Sequence, residues 1–146
     1  EKGSERLCLE DKPVTVSLGD WKKYIGEDFS GECEYISSFS LPDENAAYIL
    51  SLGTVNYCCK VYVNGTPVAV SLFPPHDITL KGDYLKKNNE LRIVVANTAA
   101  NAFVYFTLPE TWESKHIGPY HQRSLEFERD MLSSGLLGPV ELFTAK

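Results

Sequence analysis

The sequence predicts an all-β chain folded as one jelly-roll β-sandwich, and three observations predict it. From Val55 to Asn64 the side chains alternate strictly, with Val55, Tyr57, Cys59, Val61 and Val63 on one face. A period of two marks a strand with one buried face. Asn64-Gly65 follows directly, the residue pair that tolerates positive φ in a tight type I′ hairpin turn. Finally, short apolar runs recur between turn signals at roughly 8–12-residue intervals with almost no helical stripe, the pattern of a sandwich. Long, uneven connections between such strands favour the jelly roll among sandwiches.

Taken in order, residues 1–12 are polar apart from Leu7, Cys8 and Leu9 and read as a linker with one short strand. Val14–Leu18 is a strand candidate stopped by Gly19-Asp20. Trp21 leads into a loop, Lys22–Gly31. Cys33, Tyr35, Ser37, Phe39 and Leu41 alternate with polar neighbours as a half-buried strand, and Leu41–Asn45 is a turn. Ala46–Leu52 is a strand with Tyr48, Leu50 and Leu52 on one face, and it passes through Gly53-Thr54 into the hairpin. Beyond the turn, Val68, Val70 and Leu72 face one side. Phe73-Pro74-Pro75-His76-Asp77 cannot be a central strand, because proline donates no ladder hydrogen bond. Ile78–Leu80 and Gly82–Asn88 return the chain to Asn89–Asn97, a β-branched strand with Leu91, Ile93 and Val95 inward. Phe103–Leu108 reads as a further strand. Pro109–Ser134 is irregular; Leu125 and Leu132 allow a short helix there, and Gly138-Pro139 opens a last strand, Val140–Phe143.

Composition bounds the function. At 146 residues, 43% hydrophobic and 23% charged, the chain is one ordinary globular domain's worth. A net charge of −6 argues against nucleic acid and anionic membrane surfaces as partners. No apolar run approaches the roughly 18 residues of a spanning helix. The start at Glu1, without Met or signal peptide, reads as a segment of a larger protein. Cys8, Cys33, Cys58 and Cys59 are too irregular for a disulfide framework or zinc site and read as free thiols, although Cys33 could meet Cys59 across the core.

These residues carry a resemblance. Trp21, Phe29-Ser30-Gly31, Tyr35 and Phe39–Pro42 resemble the opening of a galactose-binding-like jelly-roll domain. Leu50–Val55, Val61–Gly65, Asp77–Thr79 and Asn89–Asn97 are similar to the core of the sugar-binding domain of glycoside hydrolase family 2. Ser134–Val140 resembles the C-terminal module of family 106 α-L-rhamnosidase-like proteins. The resemblance covers roughly residues 18–143. It implies a non-catalytic carbohydrate-binding-like or scaffolding module of a multidomain bacterial glycoside hydrolase, with a glycan and the parent's catalytic domain as partners. A secreted or periplasmic location goes with it. The same motifs also have a purely structural reading: Asn64-Gly65 fixes hairpin register, Gly53 closes a turn and Asn89 satisfies local backbone groups.

A sugar site needs flat aromatic faces together with polar side chains that fork onto hydroxyl pairs. The carbohydrate-binding candidates are Trp112, Tyr120, His116 and His121 in the long irregular segment and, separately, His76 and Asp77 as groups that could hydrogen-bond a ligand. Each has a plainer use: aromatics pin long loops, and an Asp such as Asp77 caps turns. Trp21 could form a platform, but the resemblance places it inside as an anchor. No catalytic constellation is present: Glu32 with Glu34, and Glu126 with Glu128, are local neighbours rather than an acid and base across a cleft. No Gly-x-Ser-x-Gly elbow occurs, and His116 and His121 lack the i, i+4 spacing of a zinc pair. No cofactor is expected. Relatives of this fold sometimes hold a structural calcium, for which Asp20, Glu27 and Asp28 could supply oxygens. The alternative function is a protein-interaction or assembly sandwich without sugar affinity, favoured if Ile36, Tyr62 and Val94 cluster on one sheet face.

Overall fold

The computed structural model describes residues 13–104 and 132–145. Among the described residues, nine strands and two short helices follow one another as α1 (Lys22–Ile25), β1 (Glu32–Ser40), β2 (Tyr48–Ser51), β3 (Thr54–Asn56), β4 (Cys58–Val63), β5 (Thr66–Ser71), β6 (Asp77–Leu80), β7 (Asn88–Ala96), α2 (Ala100–Val104), β8 (Gly135–Gly138) and β9 (Glu141–Thr144). A four-stranded sheet in the order β1-β7-β4-β5 lies with a three-stranded sheet β6-β2-β9 and a pair β3-β8. These strands pair antiparallel, and an isolated parallel bridge joins Gly53 to Gly138. The fold is an all-β sandwich.

Alternation does the work in both layers. Cys59, Val61 and Val63 of β4 and Leu91, Ile93 and Val95 of β7 are buried, and they meet Tyr48, Leu50 and Leu52, Ile78 and Leu80, and Val55 and Leu136 in one core. Cys33, Tyr35 and Phe39 of β1 pack against its edge, as their spacing predicts. Burying this continuous apolar layer is the main favourable contribution to folding. Asn64 at φ 51 and Gly65 at φ 80 make the predicted type I′ turn, which leaves Val63 opposite Thr66.

The structure corrects the sequence reading where the chain changes partner. Residues 55–64 are not one strand: β3 pairs with β8, while β4 pairs with β7 and β5. The break falls at Tyr57, which is 37% exposed rather than inward. Val55 and Val61 reach the same core from different sheets, and the in/out alternation is interrupted at Tyr57 between them. In β5 the register shifts between Val61 and Tyr62 of its partner strand, taking Val61 opposite Ala69 but Tyr62 opposite Pro67. One extra residue reverses the facing of everything after it. Val68 and Ala69 therefore pack on the core, while Val70 and Leu72 are 68% and 58% exposed.

Val14–Leu18 is not a strand, and Val14 is 72% exposed. Ladder-like bonds begin only where Gly19 N donates to Leu136 O and Trp21 N to Ser134 O. The loop 22–31 contains α1, started where Lys22 N donates to the Asp20 carboxylate and stopped at Gly26. Phe103 and Val104 lie in α2 rather than in a strand: Asn101 N bonds back to Thr98 O and Ala102 N to Ala99 O, so the alanine-rich stretch coils. Residues 105–108 and the linker 1–12 lie outside the described residues, as does Cys8.

Cys33, Cys58 and Cys59 are free thiols. Cys33 and Cys59 both stand opposite Val95, from the strands on either side of β7. They share one sheet rather than facing each other across the core, and two strand spacings, about 10 Å, separate them.

Candidate functional site

A buried polar cluster lies where β7 ends and β8 begins. Asn97, just past β7, is held three ways: its Oδ1 accepts from Gly31 N (2.9 Å), and its Nδ2 donates to Phe29 O (2.8 Å) and to Ser134 Oγ (3.1 Å). Asn101 of α2 donates from Nδ2 to Leu132 O and to Ser134 Oγ, both at 3.0 Å. The Ser134 hydroxyl in turn donates to Leu132 O at 3.2 Å. One donor and two acceptor positions are all a hydroxyl has, and Ser134 uses every one. Asn101 and Ser134 are fully buried. Asp20 Oδ1 receives Ser134 N at 3.4 Å, and Asn56 Nδ2 of β3 reaches Ser133 O at 3.1 Å and Ser133 Oγ at 2.6 Å.

This knot joins the two ends of the connection between β7 and β8. Asn101 and Leu132, on either side of positions 105–131 in the chain, are directly bonded, so the described residues flanking that stretch meet at a neck. Trp112, His116, Tyr120 and His121 belong to that connection and lie outside the described residues, as do Glu126 and Glu128. Around the neck, Trp21 Nε1, Thr98 Oγ1 and Asn101 Oδ1 are buried with no hydrogen-bond partner among the described residues. Trp21 is 3% exposed and set edge-on against Phe29 at 5.8 Å, which makes it a core anchor and removes it as a sugar platform.

His76 and Asp77 occupy the entry to β6. His76 is 2% exposed, its Nδ1 lies 2.8 Å from Ser71 Oγ, and its carbonyl accepts from Leu52 N at 3.0 Å. Burial lowers its affinity for a proton, and the Asp77 carboxylate opposes this. His76 thus ties β5 to β2, while Asp77 is exposed beside it. The acidic residues of β1 form no cleft: Glu32 pairs with Lys60 Nζ at 3.0 Å, and Glu34 with Arg92 Nη1 at 3.3 Å, on the open sheet face. Asp20 is also paired, with Lys22 Nζ at 3.5 Å. Among the described residues no three His, Cys, Asp or Glu side chains gather to hold a metal ion.

No family model and no curated protein matches the chain. Among solved structures it is similar to a rhamnosidase from Novosphingobium sp. PP1Y, at 25% identity and a TM-score of 0.56, over 78% of this chain and 11% of that one. It is similar also to a β-glucuronidase from an uncultured Clostridium sp., at 21% identity and a TM-score of 0.62, over 93% of this chain and 24% of that one. The β-glucuronidase of Ruminococcus gnavus matches at 20% identity and a TM-score of 0.51, over 60% and 17% of the two chains. These structural neighbours are glycoside hydrolases. The chain spans only a tenth to a quarter of their length.

The neck residues Asn97, Asn101 and Ser134 were not among the sequence candidates. Asn97 and Ser134 do stand inside the motifs that carry the resemblance. What a linear reading lacks is their meeting, since 37 residues separate them. The cluster sought on the sheet face is broken by charge. Ile36, Arg92 and Tyr62 lie in one cross-strand row, with Arg92 stacked 3.9 Å over the Tyr62 ring, and Val94 lies between Glu34 and Lys60.

Proposed function

We propose that this chain is a non-catalytic accessory module of a larger bacterial glycoside hydrolase, α-L-rhamnosidase-like, which buttresses a catalytic domain and contacts glycan through the connection 105–131. The likeness to the Novosphingobium rhamnosidase carries this reading. It spans most of this chain but only 11% of that enzyme, the relation expected of one module within a multidomain hydrolase. The pairing of Glu32 and Glu34 with cations on an open face supports the same reading, since glycoside hydrolysis needs two carboxyl groups flanking a bound sugar. The neck supplies a rigid base, and Trp112 and Tyr120 supply the aromatic faces a pyranose stacks on.

A glycan array probed with the purified chain tests it, with Trp112→Ala and the sheet-face control Ile36→Ser run alongside. Selective binding that disappears in Trp112→Ala and persists in Ile36→Ser is the expected result. Binding unaffected by Trp112→Ala would move the contact elsewhere, and no binding to any glycan would remove the sugar-contacting role.

A further inference from the structure

Asn64-Gly65 is the chain's only Asn-Gly pair, and it carries a chemistry beyond its turn. An asparagine before glycine is open to attack from the backbone, because no Cβ shields the glycine's amide nitrogen. In that reaction Gly65 N forms a bond to Asn64 Cγ, the Cγ–Nδ2 bond breaks, and ammonia leaves. Water then opens the succinimide ring to an aspartate or, through the other carbonyl, to an isoaspartate. Water is the only co-reactant.

The fold holds the reacting amide at both ends. Asn64 Nδ2 donates to Tyr84 O at 2.7 Å and to Asn89 Oδ1 at 2.8 Å, and Asn64 Oδ1 accepts from Glu90 N at 3.0 Å. Asn64 N also donates to Glu90 O at 3.0 Å, which fixes the backbone beneath the side chain. Expelling Nδ2 as ammonia breaks two of the side-chain bonds, and closing the ring at Cγ strains the third. None of these partners is within reach along the chain, so an unfolded chain has no such restraint.

We propose that Asn64-Gly65 is a modification site that the fold keeps closed: the unfolded chain deamidates there, the folded chain resists, and the product no longer refolds to the same state. A carboxylate at position 64 accepts and does not donate, so Tyr84 O and Asn89 Oδ1 lose their donor and face a charge. Turning the Asn89 amide over does not repair this. Its Oδ1 also accepts from Lys86 N at 2.8 Å, and its Nδ2 donates to Lys86 O at 2.6 Å, so a flip breaks both. Asn89 is 3% exposed, which leaves little room for water to stand in. An isoaspartate adds a further carbon to the main chain, too long for the two-residue turn that sets Val63 opposite Thr66.

Peptide mapping of the full chain tests this after incubation at mildly alkaline pH, thiols kept reduced, in buffer and in guanidinium. The tryptic peptide 61–81 contains Asn64 as its only amide side chain, so its mass reports this site alone. Refolding on dilution is followed alongside, for the wild type and for Gly65→Ala. That variant shields the attacking nitrogen and has open space around its methyl. The acid form of the peptide is expected to accumulate about tenfold or more slowly in buffer than in guanidinium. The refoldable fraction in guanidinium should fall in step with it, and Gly65→Ala should slow both. Equal rates in the two solvents, or no deamidation in guanidinium, overturn the inference. So does a deamidated chain that regains the wild-type midpoint, or a refolding loss that Gly65→Ala does not slow.

Discussion

At the scale of single residues, burial decides what each polar group can do. His76 resists protonation in the folded chain, because burial disfavours the imidazolium more than Asp77 favours it. Its folded pKa therefore lies below the ordinary 6.5, and the unfolded chain takes up a proton that the folded one does not. Stability holds above that value and falls as the pH drops from 6.5 toward the folded value. His76→Gln is expected to flatten this slope in urea unfolding midpoints followed against pH, and an unchanged slope would contradict it. Burial likewise pushes the Cys33 and Cys59 thiols up to about 11, so both stay protonated at neutral pH. Peptide mapping after iodoacetamide treatment of the native chain should find Cys58 alkylated before either. Asn97 is held by three side-chain hydrogen bonds, and alanine removes its side chain as the partner of Gly31 N and Phe29 O. The expected cost is about 2–3 kcal/mol, read from chemical denaturation, and a neutral variant would mean the neck is not a fixed point.

At the scale of elements, what was legible in the sequence is what depends on neighbours along the chain. The alternation in β1, β2, β4 and β7 named their buried faces correctly, and Asn64-Gly65 named the turn. What was not legible depends on partners far away. Tyr57 keeps the parity of β4 but sits at a change of sheet, and the extra residue near Val68 reversed the facing of Val70 and Leu72. Gly135–Gly138 has no apolar period at all and is a strand because β3 pairs with it. Two glycines separate local from distant constraint in a measurable way. Gly65 has nothing near the position a Cβ would take, so Gly65→Ala pays only for its positive φ, about 1 kcal/mol. At Gly53 a Cβ would come within 2.5 Å of the Gly138 carbonyl. Gly53→Ala is expected to cost roughly 3 kcal/mol or more, because the new methyl meets backbone and no flexible side chain is there to yield. Equal midpoints for the two variants in guanidinium would refute that distinction.

At the scale of the whole molecule, fold and function were unequally readable. An all-β sandwich follows from short-range pattern, and the hydrolase neighbours share that fold. The candidate site was readable only in part. His76 is a buried tie between strands, Trp21 is the core anchor its sequence reading favoured, and the aromatic and histidine candidates from 112 to 121 lie outside the described residues, between the two chain segments that meet at the neck. Polar residues that meet only after folding leave no period to find. The separation of scaffold from chemistry is the central claim, and it is most directly tested by incubating the purified chain with aryl α-L-rhamnosides and aryl β-glucuronides. A non-catalytic module releases no phenol above the protein-free blank. Steady release that follows the chain through purification and scales with its concentration would contradict it.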